Sequence, residues 1–127
     1  MTLVTHSKPA ADILDANCPS RTVLRHVTDR WTPMIVTVLH RETKVRFSDI
    51  RTRVGGISGK VLTETLRSME RDGLVLREVT PSIPPRVDYS LTPLGTSLVA
   101  PIDAIRQWAE AHVDAVEANR ARFDAAH

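Results

Sequence analysis

The sequence predicts a mainly helical fold with one small β-hairpin, built as a single domain. Its 127 residues, of which 42% are hydrophobic and 25% charged, have the size and composition of one ordinary globular domain. Apolar residues recur at helical spacing along most of the chain, and the spacing changes to alternation only between residues 74 and 91. These two observations favour helices on both sides of a pair of strands.

The chain is expected to be one domain with a short tail at each end. Residues 1–10 show no periodicity and residues 118–127 are rich in alanine and charge, so a flexible tail and a frayed tail should flank a folded domain at residues 11–117. No apolar run approaches the length of about 18 residues that a membrane span requires, and the first ten residues lack a secretory signal pattern. We therefore expect a cytoplasmic protein without membrane contact.

Two helices are expected in the first third of the domain, behind a short helical segment at Ala11–Ala16. Pro19 suits the first position of a helix that runs to about Thr28, because the missing N–H of proline would have no partner there. Asp29 can cap the next helix, which has Pro33 in its first turn. The apolar residues of this helix recur at helical spacing, which predicts a buried helix: Trp31, Met34, Ile35, Val38 and Leu39.

The middle of the chain predicts a helix, a turn with glycine, and a second helix. Ser48 is the expected cap of a short helix that runs to about Val54, and the Gly55–Gly56 pair ends it. Ser58 is the expected cap of a longer helix, for which Gly73 supplies a left-handed stop. This longer helix has two different faces, an inward stripe of Leu62, Leu66 and Met69 and an outward face of Lys60, Thr63, Glu64 and Arg67.

Two strands and a long helix complete the chain. Leu74–Thr80 and Arg86–Leu91 read as strands, and residues 81–85 between them contain three prolines, which predicts a stiff, projecting loop. The Thr92–Pro93 pair is suited to start a long helix, which Pro101 should kink or split. In the second strand the apolar residues Val87, Tyr89 and Leu91 alternate with the polar residues Arg86, Asp88 and Ser90.

This order of helices and strands predicts a winged helix-turn-helix. In that fold the helix after the turn enters the major groove of duplex DNA, and the loop of the hairpin lies along the flanking backbone or the minor groove. Positive charge is concentrated in the same region, because residues 44–88 carry nine basic and six acidic side chains, whereas residues 89–127 carry three and five. The helix that begins after Ser58 is the expected recognition helix.

Six strings of residues are similar to those of one known family: Cys18-Pro19, Asp29-Arg30-Trp31, Arg46-Phe47-Ser48, Gly56–Thr63, Leu66–Val75 and Pro84–Gly95. Together they resemble the HxlR-type bacterial transcriptional regulators over roughly residues 18–110. The most specific string is Pro-Pro-Arg-Val-Asp-Tyr-Ser-Leu-Thr, residues 84–92. The resemblance implies a homodimeric DNA-binding regulator of a kind that commonly senses electrophiles, oxidants or small molecules. Gly59 departs from the family pattern, which has a larger polar side chain near the start of the recognition helix.

The expected DNA-binding residues lie on the recognition helix, just before it, and at the base of the wing. Lys60 and Arg67 are seven residues apart, so they lie on one helical face about two turns from each other. The alternative is that both are solvated surface charges, paired with Glu64. The other candidates can reach phosphates or base edges: Arg46 and Ser48 at the start of the preceding helix, where the dipole favours a phosphate, Ser58 and Thr63 on the recognition helix, and Arg86 in the wing.

The long last helix predicts a homodimer formed through the N- and C-terminal helices. Its apolar stripe from Leu94 to His112 is longer than a winged domain of this size can cover. Two recognition helices in such a dimer would read half-sites roughly 34 Å apart. The alternative is that Trp108 closes the core of a single chain. The expected interface residues are Ile13, Leu14, Ile105, Trp108 and His112.

Cys18 is the only cysteine, so no disulfide can form within one chain, and the chain fits a reducing compartment. As the N-cap of a helix its sulfur would lie near unpaired N–H groups and near Arg21 and Arg25, which favour the thiolate. The resemblance strengthens this reading, since some family members sense through a cysteine in this region. Cys18 is therefore a candidate redox or electrophile sensor; the alternative is a small buried apolar residue.

Two other functions remain open. A small molecule could bind between the last helix and the rest of the domain near Trp108 and His112, or the winged domain could serve only in protein–protein interaction. The five histidines have no metal-ligand spacing, and no phosphate-binding loop or Gly-x-Ser-x-Gly motif is present, so we expect no metal, cofactor or catalytic residues. An aromatic content of 4% argues against the stacking platforms that bind single-stranded RNA.

Overall fold

Residues 10–127 are described by a computed structural model and form a winged helix-turn-helix. The predicted mainly helical fold is confirmed, with a three-stranded sheet in place of the predicted hairpin. Among these residues, no helix has both the length and the apolar composition that a membrane span requires. In chain order the elements are α1 (Ser20–Thr28), α2 (Thr32–Glu42), β1 (Val45–Arg46), α3 (Phe47–Arg53), α4 (Gly59–Arg71), β2 (Val75–Thr80), β3 (Arg86–Leu91), α5 (Pro93–Thr96) and α6 (Val99–Ala126).

The three strands form an antiparallel sheet in the order β1-β3-β2. β2 pairs with β3 from Val75 opposite Leu91 onward, and β1 pairs with β3 through Val45 opposite Tyr89. The sequence analysis misses β1 because a strand of two residues is too short to show alternation. The extra strand makes β3 the central strand of the sheet.

Asp88 of β3 is a buried acidic residue, with a side chain that is only 3% exposed. On the central strand, Asp88 has Arg46 of β1 opposite it on one side and Glu78 of β2 on the other. Arg86 Nε donates a hydrogen bond of 3.0 Å to Asp88 Oδ2, whereas Oδ1 has no partner among residues 10–127. The guanidinium of Arg86 is therefore the charged partner of this buried carboxylate.

The hydrophobic core lies where α2, α3 and α4 meet the sheet. The buried helix predicted after Asp29 is confirmed as α2, which has three fully buried apolar side chains. Its N-cap is Trp31 instead of the predicted Asp29, although Asp29 Oδ2 accepts hydrogen bonds from the amides of Trp31 and Thr32. Met34 differs from the prediction and is exposed. The largest buried apolar side chains are Ile35, Val36, Leu39, Ile50, Leu62, Leu66 and Met69, and Val45, Val75 and Tyr89 cover them from the sheet.

The predicted helix at Ala11–Ala16 is wrong, because this segment forms turns. Asp12 Oδ1 accepts from the amide of Leu14 at 3.0 Å, and Asp15 Oδ1 accepts from the amide of Asn17 at 2.9 Å. Such local side-chain bonds compete with the helical hydrogen bonds. Apart from Ala10, the tail predicted at residues 1–10 lies outside the described residues.

The end of the chain is also more regular than predicted. The long helix is split as expected, but the break is at Ser97 and Leu98, between α5 and α6. Pro101 occupies the first turn of α6, where its missing N–H has no partner to lose. The frayed tail predicted at residues 118–127 is wrong, because α6 continues to Ala126. Alanine favours helix, and the Phe123 and His127 rings stack with their centroids 4.0 Å apart across the last turn.

Candidate nucleic-acid interface

The predicted recognition helix, α4, is anchored along one face and exposed along the other. Ser58 Oγ accepts a hydrogen bond of 3.1 Å from the amide of Val61, which confirms Ser58 as the N-cap. Gly73 follows the helix with φ of 78°, the left-handed conformation expected of it. The inward stripe consists of Leu62, Leu66 and Met69, all buried in the core.

Lys60 and Arg67 lie on the exposed face of α4, about 10 Å apart along the helix axis at the usual rise per residue. In the part of the chain that the structure describes, neither side chain takes part in an ion pair, so the pairing with Glu64 that we considered is absent. Lys60 and Arg67 are therefore two cationic side chains that lie on the solvent-exposed face of α4 without an ion-pair partner among residues 10–127.

The two hydroxyl candidates on α4 differ in what they can donate. Ser58 Oγ accepts a hydrogen bond from the amide of Val61, so the hydroxyl proton of Ser58 remains free to be donated to a phosphate oxygen. Thr63 Oγ1 instead donates to the carbonyl of Gly59 at 2.8 Å, which commits its proton within the helix. A phosphate needs a donor, so Ser58 is the better placed of the two.

Arg46 and Ser48 stand at the junction of β1 and α3. The predicted cap is wrong, because α3 begins at Phe47 and Ser48 lies inside its first turn. Strand pairing holds the backbone extended through Arg46, so the helix starts only at the following residue. The side chains of Arg46 and Ser48 are both exposed. A surface hollow of about 480 Å³ is lined by Phe47, Ser48, Arg51 and Thr52.

Arg86 lies at the base of the wing, as predicted. Its side chain is 48% exposed, and its Nε is bonded to Asp88 while no hydrogen bond within residues 10–127 involves its terminal nitrogens. The buried carboxylate thus fixes the guanidinium without using all of its donors. At the tip of the wing Ile83 is fully exposed.

The sequence analysis misses Arg51, an exposed arginine in the last turn of α3. Its guanidinium lies beside Gly59 at the start of α4. The signal available in the sequence was Gly59 itself, since a missing side chain at the start of a recognition helix leaves space for a neighbour.

Cys18 lies just before α1 and is half-buried. The hydroxyl of Ser20 donates to its sulfur at 3.0 Å and the amide of Asp12 lies 3.4 Å from the sulfur; these bonds, the one from Ser20 first, lower the pKa of the Cys18 thiol. The predicted cause is different. Pro19, not Cys18, is the N-cap of α1, and Arg21 donates to the carbonyls of Ile13 and Leu14 instead of approaching the sulfur.

α1 connects the segment around Cys18 to the recognition helix. At its far end His26 Nε2 lies 2.5 Å from Oδ2 of Asp72, the C-cap of α4. A polar cleft of about 460 Å³ separates α1 from α4, and its lining includes Arg25, Glu64 and Arg71. The His26–Asp72 contact joins the end of α1 to the end of α4 across this cleft.

The predicted dimer residues are exposed on the surface of one chain. Trp108 is 59% exposed, which contradicts the alternative that it closes the core. Its ring stacks on His112 with the centroids 4.8 Å apart. Ile13, Leu14 and Ile105 are exposed as well.

An apolar groove of about 330 Å³ lies between α6 and the first two helices, along α6 from Ile102 to Glu110. Ile102 and Ile105 form one wall, and Val27, Pro33 and Met34 form the other. The groove lies between the last helix and the rest of the domain, as predicted for a ligand, but neither Trp108 nor His112 belongs to its lining.

Comparison with known proteins places this geometry in a family. The chain is 46% identical over 103 residues to an uncharacterised HTH-type transcriptional regulator, YtfH, of Escherichia coli (strain K12), covering 81% of each chain. Among solved structures, a transcriptional regulator named ytfH from Salmonella typhimurium superposes with a TM-score of 0.79 at 42% identity, covering 87% of this chain and 97% of that one.

A second solved structure is that of the redox regulator HypR in its reduced form, with a TM-score of 0.71 at 32% identity over 79% of this chain and 98% of that one. The sequence profile of the family described as HxlR-like helix-turn-helix matches residues 26–117, which include α2 to α5, the sheet and most of α6. The resemblance stated from the residues is thereby confirmed, and the chain belongs to the HxlR-like helix-turn-helix family of transcriptional regulators.

Proposed function

We propose that the chain is a sequence-specific regulator that binds duplex DNA as a homodimer and represses transcription from its operator. The observation that carries this proposal is the exposed face of α4, where Lys60 and Arg67 have no ion-pair partner within residues 10–127 and stand above a fully buried stripe. A helix that is anchored on one side and cationic on the other can lie in the major groove.

The other cations fit the same docking mode. With α4 in the major groove, Arg86 at the base of the wing faces the flanking backbone or minor groove, and Arg46 and Ser58 donate to phosphates. The exposed hydroxyl of Ser48 adds one more donor beside Arg46. Thr63 contributes through van der Waals contact, because its proton is committed to the helix.

The proposed dimer joins α6 and the turns before α1 to their counterparts in a second chain. α6 has 28 residues, of which only Ile102 is buried, so most of its length of about 42 Å extends beyond the core of one chain. Ile105 and Trp108 give it an apolar patch beside the groove lined by Met34. Ile13, Leu14 and His112 complete the proposed interface. Repression then requires only that the bound dimer occupy the promoter.

We further propose that Cys18 is a thiol sensor. Its lowered pKa favours the thiolate, the reactive form towards oxidants and electrophiles. The contact of His26 with Asp72 gives α1 a mechanical link to the end of α4. Oxidation that joins two Cys18 thiols in one intermolecular disulfide, with two electrons passing to an oxidant such as diamide, would alter the spacing of the two recognition helices. The similarity to the redox regulator HypR supports this role.

The test of DNA binding is an affinity titration against salt, on a duplex from the region upstream of the chain's own gene. Each lost phosphate contact lowers the slope of log affinity against log salt by about 0.9, so Lys60→Ala and Arg67→Ala should each reduce the slope and the affinity. Arg120→Ala removes an exposed arginine far along α6 and should change neither. Unchanged slopes for both α4 variants would refute the assignment of this face.

The test of sensing is release of the same duplex by diamide or a quinone. The wild-type protein should release it, and Cys18→Ser should stay bound. Release that is equal in the two proteins would show that Cys18 is not the sensor.

A second candidate function is regulation by a small apolar molecule, favoured by the groove between α6, α1 and α2. In the proposed dimer the same groove adjoins the second chain. Saturable binding of an apolar fluorophore that Met34→Trp abolishes, with no change in oligomeric state, would favour the ligand over the second chain. A domain that acts only in protein–protein interaction would show no salt-sensitive affinity for duplex DNA.

A further inference from the structure

At the start of α4, Gly59 has no side chain, and the side chain of Arg51 from the neighbouring helix α3 lies beside it. A Cβ atom placed on Gly59 would lie 3.4 Å from Arg51 Nη1 and 3.7 Å from Arg51 Cζ. The space that any longer side chain at residue 59 would enter is thus held by the guanidinium of Arg51. Gly59 is the first residue of α4, and Lys60 follows it directly on the exposed face.

The guanidinium of Arg51 is free to bind a ligand. Within residues 10–127 it takes part in no hydrogen bond and no ion pair, although the side chain is exposed. Arg53, two residues later on the same helix, is the opposite case: its Nε and Nη2 donate to the two carboxylate oxygens of Glu42 at 2.7 and 2.8 Å. That pairing raises the pKa of Arg53 and occupies its fork of donors. Of the two arginines of α3, only Arg51 keeps a complete fork of donors.

The position of this fork matters because the first residues of a recognition helix are the ones that meet base edges. A guanidinium in the major groove can donate two parallel hydrogen bonds to O6 and N7 of guanine, a pattern that no other base presents. A lysine at residue 51 would supply charge without that fork.

We propose that Arg51 reads one guanine in each operator half-site and that Gly59 keeps the space in which its guanidinium stands. The inference rests on the proposed DNA-binding function and assigns base readout to a residue outside the recognition helix. It also gives the departure of Gly59 from the family pattern a physical reason, because the polar group expected at the start of α4 comes from α3 instead.

The experiment measures the affinity of the full-length protein for three kinds of duplex by fluorescence anisotropy. The first is the footprinted segment upstream of the chain's own gene, the second is a set in which each G·C pair of that segment is changed singly to A·T, and the third is a scrambled duplex of equal length. Arg51→Ala should bind the first duplex ~10- to 100-fold more weakly and the scrambled duplex nearly as well as wild type. A change at either of two G·C pairs, one in each half-site, should weaken wild type ~3- to 10-fold, because it removes one of the two contacts, and should leave Arg51→Ala unaffected.

A size series at residue 59 tests the positioning role. Gly59→Ala should behave as wild type, because its Cβ would meet Arg51 at an ordinary contact distance of 3.4 Å. Gly59→Leu should displace the guanidinium and show the loss seen in Arg51→Ala, and the double variant should be no weaker than either single one. Gly55→Leu is the matched control, since a Cβ there meets no atom within 4 Å.

Two outcomes overturn the inference and separate it from the proposed function. If wild type binds the operator with salt-sensitive affinity while Arg51→Ala keeps its discrimination at every G·C pair, Arg51 does not read a base. If Arg51→Ala weakens operator and scrambled duplexes equally, Arg51 contacts a phosphate. A wild-type protein with no salt-sensitive affinity for any duplex refutes the proposed function, and the inference fails with it.

Discussion

The centre of the chain and its two ends differ in how far their apolar side chains are buried. In α2, α3, α4 and the sheet, the inward-facing apolar side chains pack against one another in one buried core. In α1 no residue is buried and in α6 only Ile102 is, while Leu24, Ile105 and Trp108 remain exposed. The centre therefore has the packed core of a globular domain, whereas the ends expose apolar surface to solvent.

This difference in burial suggests that separate sets of residues determine the folding stability of one chain and the association of two chains. Side chains in the centre are expected to determine whether one chain folds, because their burial removes apolar area from water within that chain. Side chains at the ends are expected to determine whether two chains associate, because only a second surface can remove their apolar area from water. The predictions below test this separation, beginning with the largest effect.

Leu66→Ala should give the largest loss, about 2 to 5 kcal/mol of unfolding free energy, because Leu66 is 1% exposed and truncation leaves a cavity in the core. Leu94→Ala makes the same chemical change at a residue that is 58% exposed, and it should cost less than about 0.5 kcal/mol. Urea unfolding measures both. Equal losses in the two variants would contradict the division between core and surface leucines.

Gly95→Ala should cost about 3 kcal/mol, although it adds only one carbon atom. The Cβ atom would overlap the carbonyl oxygen of Leu74, a backbone atom that cannot move aside without disturbing the start of β2. Gly55→Ala adds the same atom where nothing lies within 4 Å, so its midpoint of urea unfolding should stay near that of wild type. A wild-type midpoint for Gly95→Ala would mean that α5 shifts freely against β2.

Trp108→Ala should weaken self-association by about 2 kcal/mol, or ~30-fold in the dimer dissociation constant, as expected for a central aromatic anchor. Because Trp108 is 59% exposed in one chain, the far-UV circular dichroism spectrum should not change. Sedimentation over a range of concentrations measures the dissociation constant. Ile83→Ala, at the fully exposed residue at the tip of the wing and away from both ends of the chain, is the control and should leave the dimer intact. A wild-type protein that sediments as a monomer at micromolar concentration would refute the dimer.

Ser20→Ala should have the smallest effect, a slower reaction of Cys18 with iodoacetamide at neutral pH. Loss of the hydroxyl that donates to the sulfur removes the main cause of the lowered pKa, so a smaller fraction of thiolate is present at that pH. The difference should vanish at a pH above both pKa values, where the thiol is fully ionised in both proteins. An unchanged rate at neutral pH would show that the Ser20 bond does not control the thiol.

The elements with strong periodicity and explicit end signals follow directly from the sequence. α4 carries its cap at Ser58, its stripe of Leu62, Leu66 and Met69 and its stop at Gly73, and all of these signals lie within a few residues of one another. β1 is the opposite case, because two residues become a strand only through pairing with β3. The burial of Asp88 follows from that same long-range pairing and has no local signal.

The candidate site divides in a similar way. The outward positions of Lys60 and Arg67 follow from helical geometry, and the structure agrees. Helical geometry does not predict the hydrogen bonds of the other candidate residues. Thr63 Oγ1 donates to the carbonyl of Gly59, and Arg86 Nε donates to Asp88. Arg51 enters the site only because α3 and α4 pack side by side, which brings it next to Gly59.

The sequence by itself determined the order of the elements, the two faces of α4 and the family, because local spacing, caps and turn residues act within a few residues of each other. Only the tertiary structure decided the third strand, the burial of Asp88, the environment of Cys18 and the position of Arg51. The first two depend on the pairing of β1 with β3, through Val45 opposite Tyr89, and the last two depend on how a turn or a pair of helices folds, which no periodic pattern in the sequence records.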